Sequence, residues 1–432
     1  MNNPRVSVVG AGLAGCEAAW RLAQHGIDVD LYEMKPERKS PAHQSDDLCE
    51  LACSNSLRSD RIENAVGLLK EEMRALDSLV LACADATRVP AGGALAVDRE
   101  GFSALVTERI RSNGHIALHS GEVTEIPVAP CIIATGPLTS DALSERIGEL
   151  VGKQLHFYDA AAPIVTYDSL EHDKVFRASR YERGEDYLNC PMTKAEYRAF
   201  WLALIGAQTA QLHAFETPRV FEGCMPVEIM AKRGETTLCY GPLKPVGLFD
   251  ANGKRPYAVV QLRQDDAAGR LYNIVGFQTN LTFPEQRRVF GMIPGLAHAE
   301  FARYGVMHRN TFLPSPGFLN FDYQVKSRPG LFFAGQMTGV EGYVESAASG
   351  LLAGVQMARY LNGQPPLDFT CKTAIGALGH YVSDYPGDDF QPMNVTFGIM
   401  DTLPQQVDSK QERGRLLAER SLAIVKELKT YC

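Results

Sequence analysis

The chain has 432 residues, of which 45% are hydrophobic and 22% are charged, and its formal net charge is −8. This length exceeds the usual size of a single hydrophobic core, so we expect two domains. The negative charge argues against a protein that binds nucleic acid over its whole surface, although it leaves room for a local basic face.

The N-terminal segment carries the strongest local pattern. The apolar run Val6–Val9 predicts a buried strand and leads directly into Gly10–Gly15, which fits G-x-G-x-x-G. A helix over 16–24 and a second strand over 27–32 should follow, with Glu33 at the strand's end. In such a Rossmann-like unit the glycines allow a tight turn beside a pyrophosphate, and the acid binds an adenosine ribose. The predicted cofactor-binding residues here are Gly10, Ala11, Gly12, Leu13, Ala14, Gly15 and Glu33.

Residues 34 to 150 mix loops with helices and short strands. The pattern predicts a polar loop over 40–60, helices over 63–80 and 102–112, and strands over 115–118, 122–126 and 130–136. The glycine-rich stretch 88–99 either covers a cofactor or forms a hairpin. The last strand ends in Ala-Thr-Gly, and its Gly136 is a further cofactor-binding candidate.

Residues 151–319 contain no second glycine fingerprint and read as a separate α+β lobe. Strands are predicted over 161–165, 237–240, 257–262 and 271–277, and helices over 194–208 and 284–292. The nucleotide fold then resumes with the strand 331–333, which leads into Gly335 and Gln336 and a helix running to Tyr360. This second strand–turn–helix favours FAD over a free nicotinamide cofactor, and a charged amphipathic helix is expected over 409–430.

The predicted fold class is therefore α/β, with a discontinuous Rossmann-like FAD-binding domain and an inserted α+β domain. We assign residues 1–150 and 320–432 to the first domain and residues 151–319 to the insertion. The ten cysteines are scattered, without C-x-x-C or zinc spacing, so we expect reduced thiols, no metal site and a cytoplasmic location. No apolar run has membrane-spanning length, and the first strand begins too early for a signal peptide.

Four runs of sequence are more particular than the general nucleotide fold requires. They are Glu50–Arg58 (ELACSNSLR), Val89–Arg99 (VPAGGALAVDR), Phe221–Pro226 (FEGCMP) and Gly335–Tyr343 (GQMTGVEGY). These runs resemble the signatures of the folate- and FAD-dependent tRNA uracil-5-methyltransferases, the TrmFO family. The match covers nearly the whole chain in the same order, and the chain ends after one short helical tail, which favours this family over the related wobble-uridine flavoproteins.

The resemblance implies a flavin-dependent transfer of carbon. The one-carbon unit of 5,10-methylenetetrahydrofolate would pass by way of reduced FAD to carbon 5 of a uridine in the tRNA T-arm, and NADH or NADPH would supply the reducing equivalents. FAD, the nicotinamide, the folate and tRNA are thus the expected cofactors and partners.

Two cysteines, Cys53 and Cys224, stand inside these runs and match the family's catalytic thiols. A thiolate that adds to carbon 6 of uracil activates carbon 5, and a second group must then remove the carbon 5 proton. Arg58 lies near Cys53 in sequence, and positive charge lowers a thiol pKa. We favour Cys224 as the attacking thiol and Cys53 as acid–base group or carbon carrier, with small buried hydrophobes as the alternative for both.

Further substrate candidates rest on side-chain chemistry. Aromatic faces suit pterin or uracil rings, carboxylates suit a pterin edge, and His-Arg suits pterin, nicotinamide or phosphate. Each of these residues could instead be structural. The candidates are Tyr343, Phe283, Glu341, His308 and Arg309. The basic residues that could form a face for tRNA phosphates are Lys35, Arg38, Lys39, Lys232, Arg233, Arg287 and Arg288.

Two alternatives stay open at this point. The same flavin and folate chemistry could act on a ribosomal RNA uridine or, with a partner, on the tRNA wobble position. Otherwise the chain could be a plain FAD-dependent oxidoreductase without a role in RNA, which would need neither Cys53 nor Cys224.

Overall fold

The computed structural model describes residues 5–40, 42–152, 155–180, 184–210, 225–250 and 253–432. The strands in these ranges are β1 (Val6–Val9), β2 (Val29–Glu33), β3 (Ser56–Ser59), β4 (Arg88–Val89), β5 (Ala94–Val97), β6 (Ile116–Ser120), β7 (Cys131–Ile133), β8 (Leu155–Ala160), β9 (Ile164–Thr166), β10 (Phe176–Arg177), β11 (Tyr187–Met192), β12 (Ala258–Gln264), β13 (Leu271–Ile274), β14 (Phe301–Arg303), β15 (Met307–Phe312) and β16 (Leu331–Phe333). The helices are α1 (Leu13–Gln24), α2 (Ala65–Ala75), α3 (Leu79–Ala86), α4 (Arg99–Arg111), α5 (Asp141–Val151), α6 (Lys194–Ile205), α7 (Val227–Lys232), α8 (Thr237–Tyr240), α9 (Phe283–Phe290), α10 (Tyr343–Leu361), α11 (Ala374–Asp384) and α12 (Lys410–Leu428).

A parallel sheet with the spatial order β16–β7–β1–β2–β6 organises the first lobe. The central strand β1 pairs with β2 on one side and β7 on the other, and Val8 lies opposite both Leu31 and Ile132. These three side chains are fully buried, as is usual for parallel strands that are covered on both faces. Because the carboxyl ends of parallel strands meet at one edge, that edge is where a ligand is expected.

Helices α1 and α10 pack against each other at very short range. A Cβ atom at Gly350 would lie 2.1 Å from the Ala14 carbonyl oxygen, and one at Gly354 would lie 3.0 Å from the Ala18 carbonyl oxygen. Only glycine allows this approach of the two backbones. The step from Ala14 to Ala18 in α1 matches the step from Gly350 to Gly354 in α10, four residues in the same direction. The two helices therefore run parallel, and both begin at the carboxyl edge of the sheet.

The second lobe is built on a six-stranded sheet with the order β10–β11–β12–β13–β9–β14. Its core is separate from that of the first lobe. It includes the buried rings of Phe200 in α6, Phe290 in α9 and Phe277, which follows β13. The antiparallel pair β8 and β15 carries the chain into this lobe and back from it.

Several predicted elements differ from the structure. The helix predicted over 63–80 is two helices, because Asp77 has a left-handed backbone (φ +59°) and Ser78 begins α3 by accepting a hydrogen bond from Leu81 N. The polar loop predicted over 40–60 contains the strand β3, because pairing with β5 stabilises an extended backbone there despite the polar sequence. The predicted strand over 237–240 is the helical turn α8, since a short apolar run does not distinguish the two. Among the described residues, 122–126 form no strand. Of the two possibilities for the stretch 88–99, the structure has the hairpin, in which β4 pairs with β5.

Within the described ranges, no helix is both long and apolar enough to cross a membrane. The same residues bring together no group of three histidine, cysteine or acidic side chains that could hold a metal ion.

Candidate active site

A long cleft opens at the carboxyl edge of the parallel sheet and runs towards the second lobe. Its narrow part lies beside Glu33 and Tyr32, and Gly12 belongs to both the narrow and the wide part. The wide part extends past Gly335 to strands of the second lobe at Asn273. The cleft therefore offers a continuous path from the end of β2, over the start of α1, to the junction of the two lobes.

The three glycines of the fingerprint have different tasks in the structure. Gly10 has φ +96°, and a Cβ there would lie 2.6 Å from the Ala134 carbonyl oxygen. A Cβ at Gly15 would lie 1.7 Å from the Gly10 carbonyl oxygen. A Cβ at Gly12 would meet no described atom within 4 Å. Gly10 and Gly15 are thus required by the chain itself, whereas Gly12 keeps space open in the cleft.

The narrow part suits the adenosine half of a dinucleotide. Glu33 lies on its wall and accepts hydrogen bonds from Ala11 N (2.9 Å) and Lys35 N (3.1 Å). Gly12 is the N-cap of α1, and the first turn of that helix contains no acidic residue. The free N–H groups and the positive dipole end of α1 consequently favour an anionic group such as pyrophosphate.

A second glycine-rich turn lines the wide part. Gly335 has φ +85°, and its N–H donates to Ser349 Oγ at 2.7 Å. Gln336 Nε2 donates to Glu341 Oε2 at 2.5 Å, and both residues lie on the cleft wall. Gly136 (φ +71°) lines the same part from the end of β7. Because glycine has no side chain, these turns leave open space along the cleft wall. A planar ring system with a polyhydroxyl chain would need such space.

Cys53 lies on the wall of the wide part and contacts the hydroxyl of Tyr343. The distance from Cys53 Sγ to Tyr343 Oη is 3.0 Å. The same oxygen accepts hydrogen bonds from Cys53 N (2.8 Å) and Ser54 N (3.3 Å), so the phenol hydrogen is left to point at the sulfur. Burial, together with the neighbouring Cys53, raises the pKa of Tyr343 well above its usual value, which keeps the phenol protonated as a donor.

Two guanidinium groups, those of Arg99 and Arg263, interact electrostatically with this thiol. Burial lowers the pKa of Arg99, but its paired 2.9 Å contacts with Asp265 outweigh that effect and raise it overall. Burial lowers the pKa of Arg263, and the Cys53 thiol is among the groups that oppose this. Arg263 donates to Ser54 Oγ (2.8 Å), which fixes the loop that carries Cys53 onto β12.

The cation proposed from sequence to act on Cys53 has another partner. Arg58 has φ +62°, and its guanidinium pairs with the fully buried carboxylate of Glu345. Arg99 and Arg263 are further positive charges that interact electrostatically with this thiol. Both residues lie far from Cys53 in sequence: Arg99 ends the run Val89–Arg99 noted above, and Arg263 is the charged residue inside β12.

Cys224 lies outside the described residues. The chain just after it is described: Val227 N donates to Gln278 O at 2.7 Å. Gln278 lines the wide part of the cleft. The chain that follows Cys224 is therefore attached to the cleft wall.

The other substrate candidates divide into two groups. Tyr343 and Glu341 lie on the cleft wall, and His308 and Arg309 lie in β15 directly before Asn310, which also lines the cleft. Phe283 is not among the residues that line the described cleft and is 47% exposed at the start of α9. The structure thus brings Tyr343 to Cys53 and leaves Phe283 on the outer surface.

The predicted basic face is only partly available. Lys35 is buried, so it cannot meet an RNA backbone. Arg38 pairs with Glu122, Lys39 with Asp46, and Arg288 with Glu285. Lys232, Arg233 and Arg287 are exposed.

The sheet order, the fingerprint turn and the second glycine turn define an α/β flavoprotein with an FAD-binding fold. Among solved structures, GidA from Aquifex aeolicus has this fold, with a TM-score of 0.71 and 15% identity over 98% of this chain and 73% of that one. The family model described as glucose inhibited division protein A matches residues 5–365.

Curated relatives identify the family more closely. A methylenetetrahydrofolate–tRNA-(uracil-5-)-methyltransferase TrmFO from Listeria welshimeri is 58% identical over 426 residues, 98% of each chain. The TrmFO of Bacillus subtilis is 57% identical over 431 residues, 99% of each chain. The chain belongs to the TrmFO family.

Proposed function

We propose that this protein transfers the one-carbon unit of 5,10-methylenetetrahydrofolate to carbon 5 of a T-arm uridine in tRNA, giving 5-methyluridine, with NADH or NADPH as reductant. The observation that carries the proposal is the Cys53 thiol, hydrogen-bonded to Tyr343, on the wall of a dinucleotide cleft. A plain oxidoreductase would have no use for this thiol. Acting on tRNA, the enzyme would work in the cytoplasm.

FAD fits the residues of the cleft. Glu33 and Ala11 would hold the adenosine half, Gly12 and the start of α1 the pyrophosphate, and Gly335, Gln336 and Gly136 the flavin half. When bound, FAD would supply the redox chemistry and the carrier function of the reaction. The separate cores of the lobes support the division into a cofactor domain, 1–150 with 320–432, and an insertion, 151–319.

Cys53 would act as the base that removes the carbon 5 proton, or as the carbon carrier. Both roles need the thiolate. A hydrogen bond donated to sulfur and nearby positive charge are interactions that favour a thiolate, and Cys53 has Tyr343 Oη at 3.0 Å and electrostatic interactions with Arg99 and Arg263. Burial raises the pKa of the Cys131 and Cys190 thiols to about 12, which suits inert structural residues.

Cys224 would supply the attacking sulfur. Its thiolate would add to carbon 6 of the uracil, forming a carbon–sulfur bond and placing the electron pair on carbon 5. After carbon 5 has formed its new bond and lost its proton, the same carbon–sulfur bond breaks and the thiolate leaves. The attachment of Val227 to Gln278 supports this role, because it keeps the following chain at the cleft.

A methylation assay tests the proposal directly. Purified holoprotein is incubated with a T-arm stem–loop RNA, NADPH and methylenetetrahydrofolate labelled in its methylene carbon. We expect the label to enter 5-methyluridine in the RNA, and no label to enter when the target uridine is replaced by cytidine. NADPH oxidation without any labelled RNA would instead support a plain oxidoreductase.

Replacing Tyr343 by phenylalanine should raise the pH at which methyl transfer reaches half its maximum. The change removes the hydroxyl that donates to Cys53 Sγ, so the thiolate loses one hydrogen bond and its pKa rises. We expect the rate to fall about tenfold at neutral pH and to recover partly at higher pH. Rate–pH profiles measure the shift, and the matched control Tyr431→Phe, at an exposed tyrosine, should leave the profile unchanged. An unaltered profile in Tyr343→Phe would remove this residue from thiolate stabilisation.

A further inference from the structure

Three aromatic rings form a continuous stack on the second lobe, outside the cleft. The ring centroids of Phe301 and Tyr304 are 5.1 Å apart with an interplanar angle of 6°. The centroids of Tyr304 and Phe283 are 4.5 Å apart with an angle of 17°. Tyr304 is therefore the middle ring, and the three planes are nearly parallel.

The stack runs from the core of the lobe to its surface. Phe301 packs against the lobe's hydrophobic core, whereas Phe283 is 47% exposed. The outer ring thus combines a fixed orientation, imposed by the rings beneath it, with an accessible side. Phe249, which is 55% exposed on the same lobe, has no ring contact in the described residues. Such a fixed outer ring is a platform on which another flat ring can stack.

A positive charge lies at the edge of this platform. Arg287 Nη1 donates to Tyr304 Oη at 2.8 Å, and its guanidinium carbon is 5.7 Å from the centre of that ring. Arg288, the next residue, is neutralised by Glu285. Across the described ranges Arg287 pairs with no carboxylate, so its charge is available to an external anion.

The platform is connected to the cleft through a short stretch of backbone. Gln278 lines the cleft, and Phe283 follows it by five residues. Between them, Asn280 O accepts from Ala210 N at 2.8 Å, and Thr282 N donates to Gln208 O at 3.1 Å. Five residues of chain span at most about 18 Å, so the ring platform lies within that distance of the cleft wall at Gln278.

We propose that the exposed face of Phe283 stacks on an unpaired base of the RNA substrate, and that Arg287 contacts a neighbouring phosphate. The inference rests on the proposed function, which makes RNA the substrate. Stacking between an aromatic side chain and a base tolerates any sequence, and an adjacent guanidinium supplies the contact to the backbone. The site would hold a base that flanks the target uridine rather than the target itself, because Phe283 lies outside the cleft.

Binding of a T-arm stem–loop RNA to the holoprotein tests this inference. Phe283→Ala should weaken the RNA affinity about tenfold, whereas Phe283→Trp, which keeps a flat ring, should restore it. Arg287→Gln should reduce the slope of log affinity against log salt concentration by about 0.7, the effect of losing one single-strand phosphate contact. The matched control Phe249→Ala removes an equally exposed ring and should bind like wild type. FAD content, the rate of flavin reduction by NADPH and the KM for methylenetetrahydrofolate should stay unchanged in all variants.

The results separate this inference from the proposed function. Wild-type affinity in Phe283→Ala would overturn the stacking role while leaving the methyltransferase proposal intact. A raised KM for methylenetetrahydrofolate with unchanged RNA affinity would also overturn it and assign the ring to the folate. If wild-type protein itself neither bound nor methylated the RNA, the proposed function would fail, and the platform's assignment to RNA with it.

Discussion

Replacing Cys53 by serine is expected to abolish methyl transfer while leaving a folded, yellow protein that NADPH still reduces. A serine hydroxyl is close in size to a thiol but is essentially undissociated at neutral pH, so it can neither take the carbon 5 proton nor carry the carbon unit. We expect the methylation rate to fall by about 10²–10⁴-fold, the usual contribution of a positioned acid–base group. FAD content should not change, because the fingerprint turn and the Gly335 turn are untouched.

The matched control is Cys239→Ser. Cys239 is also partly exposed but does not line the described cleft, and burial raises its pKa, so its replacement should leave the rate unchanged. An equal loss in both variants would point to a general sensitivity to serine, and full activity in Cys53→Ser would return Cys53 to a structural role.

A second measurement assigns the two thiols. T-arm RNA that carries 5-fluorouridine should become covalently attached to the wild-type enzyme, since fluorine cannot leave as a proton does. The adduct should disappear in Cys224→Ser and persist in Cys53→Ser if Cys224 is the attacking thiol. The opposite pattern would exchange the roles that we propose.

Replacing Gly12 by valine should produce a colourless protein that is still folded. At this position the backbone is extended (φ −77°), and a Cβ would meet no described protein atom within 4 Å, so the backbone tolerates a side chain here. The side chain would project into the space that the pyrophosphate needs. We expect FAD content to drop below about a tenth of the wild-type value, a loss of at least 1.4 kcal/mol in binding.

Gly114→Val is the matched control, because a Cβ there also meets nothing within 4 Å and Gly114 lies away from the described cleft. FAD content from the visible spectrum and secondary structure from circular dichroism measure the outcome. Gly15→Val, in contrast, should prevent folding, since its Cβ would lie 1.7 Å from the Gly10 carbonyl oxygen. A yellow Gly12→Val protein with wild-type FAD content would remove the pyrophosphate from this turn.

The cofactor half of the site could be predicted because its determinants are local. Gly10–Gly15 and Glu33 belong to one β–α–β unit, and the strand 331–333 with its following helix is a second local pattern, so both appear in the structure as expected. Each prediction needed only neighbouring residues and the known geometry of a turn.

The surroundings of Cys53 could not be predicted in the same way. The hydrogen bonds from Arg99 to Asp265 and from Arg263 to Asn55 join the two lobes, and contacts across more than 150 residues leave no local pattern. Arg58 has a left-handed backbone and pairs with Glu345, a contact that its nearness to Cys53 in sequence does not reveal. Phe283 is a sequence-based candidate for stacking on pterin or uracil, and its position outside the described cleft depends on a tertiary contact with Tyr304.

The close packing of α1 against α10 has a consequence for how the protein is made. The first strand is complete at residue 9, but Gly350, which covers Ala14, leaves the ribosome more than 300 residues later. At about 5–20 residues per second, the interval is roughly 20–70 seconds. Throughout that time the nascent N-terminal unit lacks its neighbouring helix and its second glycine turn, while the inserted lobe can already complete its own sheet. A cofactor site that needs both glycine turns is therefore complete only after residue 350 has been synthesised.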